Sequence, residues 1–570
     1  MNSHVYGPLR PLLFALLLGL LTLQSNSAGQ TGPLQQPAVR VTARLVNVSV
    51  VAQDKDGRPV TDLTQTDFRV LDQGQEQTIS FFTREGKDRP ASTSEFAYSN
   101  RRAPTGGGSA GVIVILLDSL NTEIADTQYA RTQLIRFLEQ IKPGERVALY
   151  TLIYRLGILH SLSEDSTSLL RALDAYRIRH TTGAVMAERP SETGIVPDRG
   201  QFKVELQDLD ALLDQVSQKT ADIATRDRVR RTAEAIILIA QSLSGLPGRK
   251  NLIWVSGGFP WQIGFDPGQM KMDDVREANI FYDEMDKISR ALNDSNVALY
   301  PVDARGLLNL GQFQRAFSAT SRGAPSRPDP GRSEVSNVPE VDSSFPRKNI
   351  ETMNQLAQQT GGIAFYNTNE LIGSIRRAAD DADHTYSVGY YPAHKSWNGK
   401  FREVRVEVRR PGVRVRFRRG YFATPDRVVE QKDRDTLVRE AATALFDSTR
   451  LGLEANLEPV SDTMVRVRLK LDPEELKLTQ EGDRWVGALE FLFVARDSQG
   501  KALSGVRDGV NMRLTNATYE QSRAKGLRLS KDVEIPAGAI ELRLVVLDPN
   551  NGSLGSLSIP LKKALLPASN

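Results

Sequence analysis

Residues Gly111 to Asp118 read GVIVILLD, an unbroken apolar run that ends on a carboxylate. A strand with one wet face alternates apolar and polar residues. A run without alternation needs cover on both faces, which a parallel sheet flanked by helices provides. The next segment switches to helical spacing: Tyr129, Leu134, Phe137, Leu138 and Ile141 fall on one stripe, and Pro143 and Gly144 end it. The alternation then repeats. RVALYTLIY reads as strand and, after a long polar insertion, VRRTAEAIILIAQSL as helix; NLIWVSGGF, FYDEMDKISRALNDS, VALYPVDA, NIETMNQLAQQT, GIAFYN and ELIGSIRRAADDADH continue as strand and helix in turn. Such an order predicts a doubly wound, mostly parallel α/β domain over residues 111–385 with right-handed crossovers.

The flanks carry a different pattern. VRVTARLVNVSVV alternates from Val39 and is followed by further short apolar segments, which predicts a small β module over 38–85. Residues 86–110 are polar, with Pro90, Pro104 and the run Gly106, Gly107, Gly108, and read as a linker. After the α/β segment, 386–425 predicts a β-hairpin extension turning at Pro411 and Gly412. Val404, Val406, Val413 and Val415 lie on one face there, and Arg405, Arg414, Arg416 and Arg418 on the other, read as a solvated stripe. A charged helical stretch, DRDTLVREAATALF, leads into 452–570, where short alternating strands joined by turn residues predict an all-β sandwich.

Composition narrows the function classes. The chain has 570 residues, enough for three or four domains at about 150 residues each. Its 73 Lys+Arg against 69 Asp+Glu leave a net charge of +4, too small a bias to imply nucleic-acid binding. With 0 cysteines, disulfides, thiolate nucleophiles and Cys-held zinc or iron are excluded. Residues 1–28 carry Arg10, an apolar run from Leu12 to Leu23 and small residues at Ser27 and Ala28, the pattern of a signal peptide. The expectation is an exported protein, periplasmic or extracellular, with an uncleaved N-terminal anchor as the alternative and no integral span in the mature chain.

The most informative site is the end of the first parallel strand, Asp118-Ser119-Leu120-Asn121-Thr122. Ligands of open α/β sheets collect beyond the carboxyl ends of strands. That strand end, the amphipathic helix after it, RVALYTLIY and NLIWVSGGFP together resemble a von Willebrand factor type A domain. With TARLVNVSVVAQDKDGRPVTDLTQTDFRVLDQGQEQTISFF, GRKNLIWVSGGFP, YSVGYYP and FRRGYF, the chain is similar to the von Willebrand factor A-related proteins abundant in Acidobacteria. The resemblance covers roughly residues 38–425, and implies an exported protein-binding protein without an assigned activity.

The resemblance also implies a candidate metal site. Domains of this type hold Mg²⁺ with a DxSxS strand end, a Thr from a second loop and an Asp from a third, because a hard cation takes oxygen ligands. Asp118 and Thr122 match; Leu120 stands where the middle Ser belongs, Thr225 is the candidate second-loop Thr, and Gly257 falls where the third-loop Asp is expected. The reading is a degenerate metal-ion-dependent adhesion site, with Mg²⁺ or another divalent cation the one cofactor it admits. Asp118 also has a plain structural role open to it, as a carboxylate bonded to backbone N–H groups of the turn.

Several functions follow from this. The leading one is a non-catalytic binding or adhesion-like scaffold that presents Asp118, Ser119, Asn121, Thr122, Ser256 and Gly257 to a protein ligand. A cation-dependent adhesin through Asp118 and Thr122 is the second. An envelope hydrolase or modifying enzyme using Asp118 and Asp303 as acid and base is the third. A structural envelope protein whose β regions act as spacers is the fourth. G-G-S-A-G at 107–111 and GxGxxG at 106–111 precede a strand, where neither a nucleophile elbow nor a dinucleotide loop can work. The histidines, His4, His160, His180, His384 and His394, show no zinc spacing.

Overall fold

The computed structural model describes residues 45–84, 96–101, 111–176, 203–258, 272–306, 344–394, 396–425 and 428–561, without the side chains of 203–222, 272–282 and 344–349. The predicted signal at 1–28, the glycine run at 106–108 and most of the polar insertion at 180–204 lie outside those residues.

In chain order come β1 (Val46–Gln53), β2 (Phe68–Asp72), β3 (Gln75–Gln77), β4 (Ile79–Arg84) and β5 (Tyr98–Ser99). The α/β stretch holds β6 (Val112–Asp118), α1 (Ile124–Leu138), β7 (Arg146–Leu152), β8 (Leu156–Ser163), α2 (Ser166–Ala175), α3 (Lys203–Leu243), β9 (Lys250–Ser256), α4 (Met272–Asp294), β10 (Val297–Asp303), α5 (Ser344–Thr360) and α6 (Leu371–Asp383). Then follow β11 (Thr385–Tyr390), β12 (Phe401–Val408), β13 (Arg414–Arg416), β14 (Gly420–Phe422) and α7 (Gln431–Thr443). The C-terminal region adds β15 (Leu453–Ser461), β16 (Met464–Leu471), β17 (Thr479–Glu481), β18 (Arg484–Arg496), β19 (Ala502–Thr515), α8 (Asn516–Lys525), β20 (Leu527–Glu534), β21 (Glu541–Asp548) and β22 (Ser553–Pro560).

Every residue of β6 is buried because it runs through the middle of a sheet ordered β10-β9-β6-β7-β8. Val112, Val114 and Leu116 pack with Ile236 and Ile239 of α3 and Ile288 of α4, while Ile113, Ile115 and Leu117 pack with Leu134 and Phe137 of α1 and Ile375 of α6. Each such side chain, fully buried, contributes roughly 1.5–3 kcal/mol. The four strands β10, β9, β6 and β7 are parallel. The α/β fold is therefore the one the apolar run demands.

Three details differ from expectation. β8, inside the stretch expected to be a polar insertion, is an antiparallel edge strand on β7 whose Leu156, Ile158 and Leu162 stay half-exposed while packing against the core. GIAFYN, expected as a strand, touches the sheet through one bridge, Val302 with Phe365. The helix expected from Val229 begins at Lys203, so α3 has 41 residues and is roughly 60 Å long.

The flanking β segments need correction. The predicted module at 38–85 and the predicted extension at 386–425 are one structure: β1 pairs with β11 and β13, and β2 pairs with β12. Two sheets, β13-β1-β11-β4 and β14-β12-β2-β3, enclose a common core of Val48, Val50, Phe68, Val70, Tyr386, Val388 and Val404. The expected hairpin pairs with itself only at its ends, where Phe401–Glu403 of β12 lie antiparallel to Gly420–Phe422 of β14. β12 and β13 lie in different sheets, so the turn at Pro411–Gly412 crosses between them and lets Val406 and Val415 reach the core from opposite sides.

The arginine stripe is not a solvated face either. Arg414 is exposed, but Arg416 Nη2 donates to Asp381 Oδ2 at 2.7 Å, and buried Arg418 donates to the carbonyls of Asn47, at 2.7 Å, and Asn293. Part of the predicted linker is a strand as well: Tyr98 and Ser99 pair with Ala455 and Glu454 of β15.

From Leu453 onward two sheets, β20-β16-β15-β5 and a second built on β18, β21 and β22, face each other across Leu453, Val467, Leu469, Phe491, Phe493, Leu544 and Ile559. Both β units contact the α/β domain at the amino ends of its parallel strands. Thr449 Oγ1 donates to Ser242 O at 2.7 Å, and fully buried Arg249, just before β9, donates through Nη1 to Ser49 O of β1 at 3.5 Å. Asn296 Nδ2 donates to Ser49 Oγ at 3.0 Å. Asp118, Ser256 and Asp303 end their strands at the opposite edge. Among the described residues, no helix is long and apolar enough to cross a membrane.

Candidate functional site

Asp118 ends β6 fully buried, at 0% exposure. Its Oδ1 accepts from the backbone N–H groups of Leu120 and Asn121, both at 3.1 Å, closing the turn that leads into α1. Its Oδ2 accepts from Asn121 Nδ2 at 2.8 Å and from Trp254 Nε1 and Ser256 Oγ, each at 2.9 Å. Burial pushes the Asp118 carboxyl above its ordinary range, and these donors pull in the opposite direction.

The loop after β6 and the end of β9 interlock. Thr122 Oγ1 donates to Asp118 O and accepts from Gly257 N, the latter at 2.8 Å. A Cβ on Gly257 would sit 2.8 Å from Asn121 O, so the approach of the two loops requires glycine there. Ser119 turns away from the crevice, its Oγ 3.0 Å from Tyr176 OH, which also accepts from Thr151 Oγ1 at 3.0 Å. Leu120 is buried in the core against α3.

Asn121 Nδ2 also donates to Thr232 Oγ1 at 2.7 Å. Thr225 is about two turns earlier within α3 and belongs to a helix rather than a loop, where Arg228 Nη2 donates to it at 3.3 Å. The helical threonine that reaches this cluster is thus Thr232. Arg228, one turn before Thr232, places its positive charge near Asp118; burial holds its pKa below the ordinary value and Asp118 opposes that effect. Asp303 has the same exposure class as Asp118, but its two oxygens are taken by Arg305, through Nε at 2.9 Å and Nη2 at 2.8 Å.

These residues do not fit a resident divalent cation. Hard cations need oxygen lone pairs directed at them. Five N–H or O–H donors already point at the Asp118 oxygens, Thr122 Oγ1 is bonded on both sides, Leu120 and Gly257 offer no side-chain oxygen, and Arg228 supplies a cation of its own. Among the described residues, no three His, Cys, Asp or Glu side chains gather as metal ligands would.

No family model matches this chain, and no curated protein matches it. Solved structures do. It is similar to an aerotolerance-related membrane protein from Bacteroides fragilis, at 14% identity over 47% of this chain and 98% of that one, with a TM-score of 0.23. The conserved hypothetical protein BatB from Bacteroides thetaiotaomicron gives 11% identity over 48% and 96%, TM-score 0.23, and the VWA domain of SpRpn10 gives 10% over 47% and 94%, TM-score 0.22. The sheet order β10-β9-β6-β7-β8, with an antiparallel edge and Asp118 at the end of its central strand, agrees with the resemblance in the sequence. The α/β domain is thus similar to a von Willebrand factor type A domain. TM-scores of this size carry no further argument.

Within the α/β domain, the sequence pattern located Asp118, Asn121, Thr122, Ser256 and Gly257, which the fold brings into one hydrogen-bonded cluster. It did not locate Trp254, Thr232 or Arg228. Trp254 lies two residues before Ser256 and therefore on the same face of β9, a spacing that marks it as a neighbour of the strand end once β9 is placed beside β6.

Proposed function

We propose that this chain is an exported, non-catalytic protein-binding scaffold whose von Willebrand factor A-like domain offers the Asp118 edge to a partner without a bridging metal ion. The observation that carries the reading is the saturation of Asp118: five donors hold its carboxylate as an internal post for two loops, so it has no free lone pair for an ion or for proton transfer. The third reading, acid–base chemistry by Asp118 and Asp303, meets the same obstacle, since both carboxylates are spent on internal donors. The two β units contact the α/β domain at the opposite edge of the sheet, through Thr449 with Ser242 and Ser49 with Asn296, which supports a presentation role for the carboxyl edge.

The test is site-specific photo-cross-linking in an envelope extract, with the probe at exposed Glu123 beside the crevice or at exposed Lys432 in the C-terminal region. The expected outcome is a discrete adduct from Glu123 alone, competed by excess unlabelled protein and equally strong with Mg²⁺ or with chelator. An adduct that disappears on chelation overturns the metal-independent reading. Equal labelling from both positions, or none from Glu123, overturns the crevice as a binding edge.

A further inference from the structure

We infer that this chain pairs with a second copy of itself, edge to edge through β19, the two strands running antiparallel about a two-fold axis at Gly509. The surface belongs to the C-terminal region and does not rest on the binding role of the Asp118 edge.

β19 has 14 residues, where about 5–6 is common for a strand. Among the described residues it pairs with β18 alone, from Thr515 opposite Arg484 to Ala502 opposite Arg496. Its other edge therefore offers a row of backbone N–H and C=O groups, which sheets ordinarily guard with proline, bulges or charges. β19 contains no proline, and its register is regular from Ser504 to Thr515. Its charges are drawn onto the faces of the sheet instead of the edge. Arg507 Nη2 donates to Glu490 Oε2 of β18 at 2.6 Å, Arg507 also pairs with Asp435 of α7, and Asp508 pairs with Lys531 of β20 at 2.6 Å. Gly505 and Gly509 are exposed, and a Cβ on Gly505 would meet nothing within 4 Å.

Charge placement fits a second copy in one register. With the axis at Gly509, Asp508 lies opposite Val510 of the second copy, Arg507 opposite its Asn511, Gly505 opposite its Arg513 and Leu503 opposite its Thr515. The strand is then paired along nearly its whole length, and no two like charges face each other. Moving the axis one or two residues toward the start sets Asp508 or Arg507 against its own copy, and moving it one residue toward the end sets Arg507 against Arg513; like charges directly opposite are destabilising. The same register puts Val506 opposite Met512 of the second copy. Met512 is a core residue, and Val506, an even number of positions away, shares its face, so the contact carries the C-terminal core across the joint. Such an interface is self-complementary, as a closed two-fold dimer requires.

The experiment uses the full chain, whose 0 cysteines leave no background for introduced thiols. Wild type is followed by sedimentation velocity from low micromolar to several hundred micromolar, and a shift from monomer to dimer is expected. A monomer throughout overturns the proposal, whatever the variants do. Gly509→Cys, Gly505→Cys and Arg513→Cys are then oxidised with copper phenanthroline where wild type is dimeric, with Lys432→Cys on exposed α7 as the collision control. Paired Cα atoms of an antiparallel ladder lie about 4.5–5.5 Å apart, within the reach of a disulfide. Gly509→Cys should link to itself at least about tenfold faster than the control, because pairing holds its two thiols together. Gly505→Cys and Arg513→Cys should link to each other when mixed and not when oxidised singly. Linking of Gly509→Cys no faster than Lys432→Cys, or self-linking of Gly505→Cys as extensive as in the mixture, overturns the proposal, since a dimer would then form through another surface or register.

Discussion

Trp254 Nε1 donates to Asp118 Oδ2 across 2.9 Å, joining the middle of β9 to the end of β6 inside the sheet's fully buried layer. The indole sits in the core against α3 and α4, and its one polar atom reaches the one buried carboxylate of the neighbouring strand end. This pair explains how a charge-bearing residue is tolerated at 0% exposure, since a buried carboxylate is costly unless hydrogen-bonded on every side.

Removing either partner should therefore cost stability by different amounts. Trp254→Phe keeps the ring and deletes one donor, with an expected loss of about 1–3 kcal/mol in urea unfolding. Asp118→Ala leaves the donors of Asn121, Trp254 and Ser256 without their acceptor and should cost more, about 3–5 kcal/mol. Equal and small losses for both variants would show that the cluster does not hold the two loops.

Cations should not stabilise the chain. A ligand at 100 times its dissociation constant adds about 2.7 kcal/mol, an easily read rise in the unfolding midpoint. With Asp118 saturated, the midpoint should be the same with Mg²⁺, Mn²⁺, Ca²⁺ or chelator. A rise in wild type that Asp118→Ala abolishes would mean that the donors yield to a metal.

Gly257→Ala should destabilise by about 1–3 kcal/mol, because its Cβ would come within 2.8 Å of Asn121 O and force apart the loops that Gly257 N and Thr122 Oγ1 hold together. Gly257→Asp, the change that would supply the third-loop carboxylate expected in a type A metal site, is expected to lose stability without gaining cation binding. A fully stable Gly257→Ala chain would show that the loops are free to separate.

Tyr150 gives a pH dependence of definite sign. Burial raises its hydroxyl pKa above the ordinary value near 10, so the folded state retains a proton that the unfolded chain gives up. Stability is fully present below the unfolded pKa and declines as pH rises through about 10 toward the folded value. Tyr150→Phe should remove that part of the decline. Parallel alkaline stability profiles for the two chains would contradict the assignment.

What the sequence determined by itself is the layer structure of the α/β domain and the place of its crevice. GVIVILLD lacks alternation because both faces of β6 are covered, and that information is local. Asp118 follows the same logic, being the first polar residue after the run and hence the strand end.

Tertiary structure decided the rest. The alternation in Val46–Gln53 and Phe401–Val408 tells which face is buried but not which strand lies alongside, and the actual pairings, Val46 with Tyr390 and Val70 with Val406, join segments on either side of the whole α/β domain. The same holds at the site. Whether Asp118 holds an ion or an indole N–H depends on what β9 brings beside β6. Periodicity records burial, whereas hydrogen-bond partners are chosen only when distant strands and helices meet.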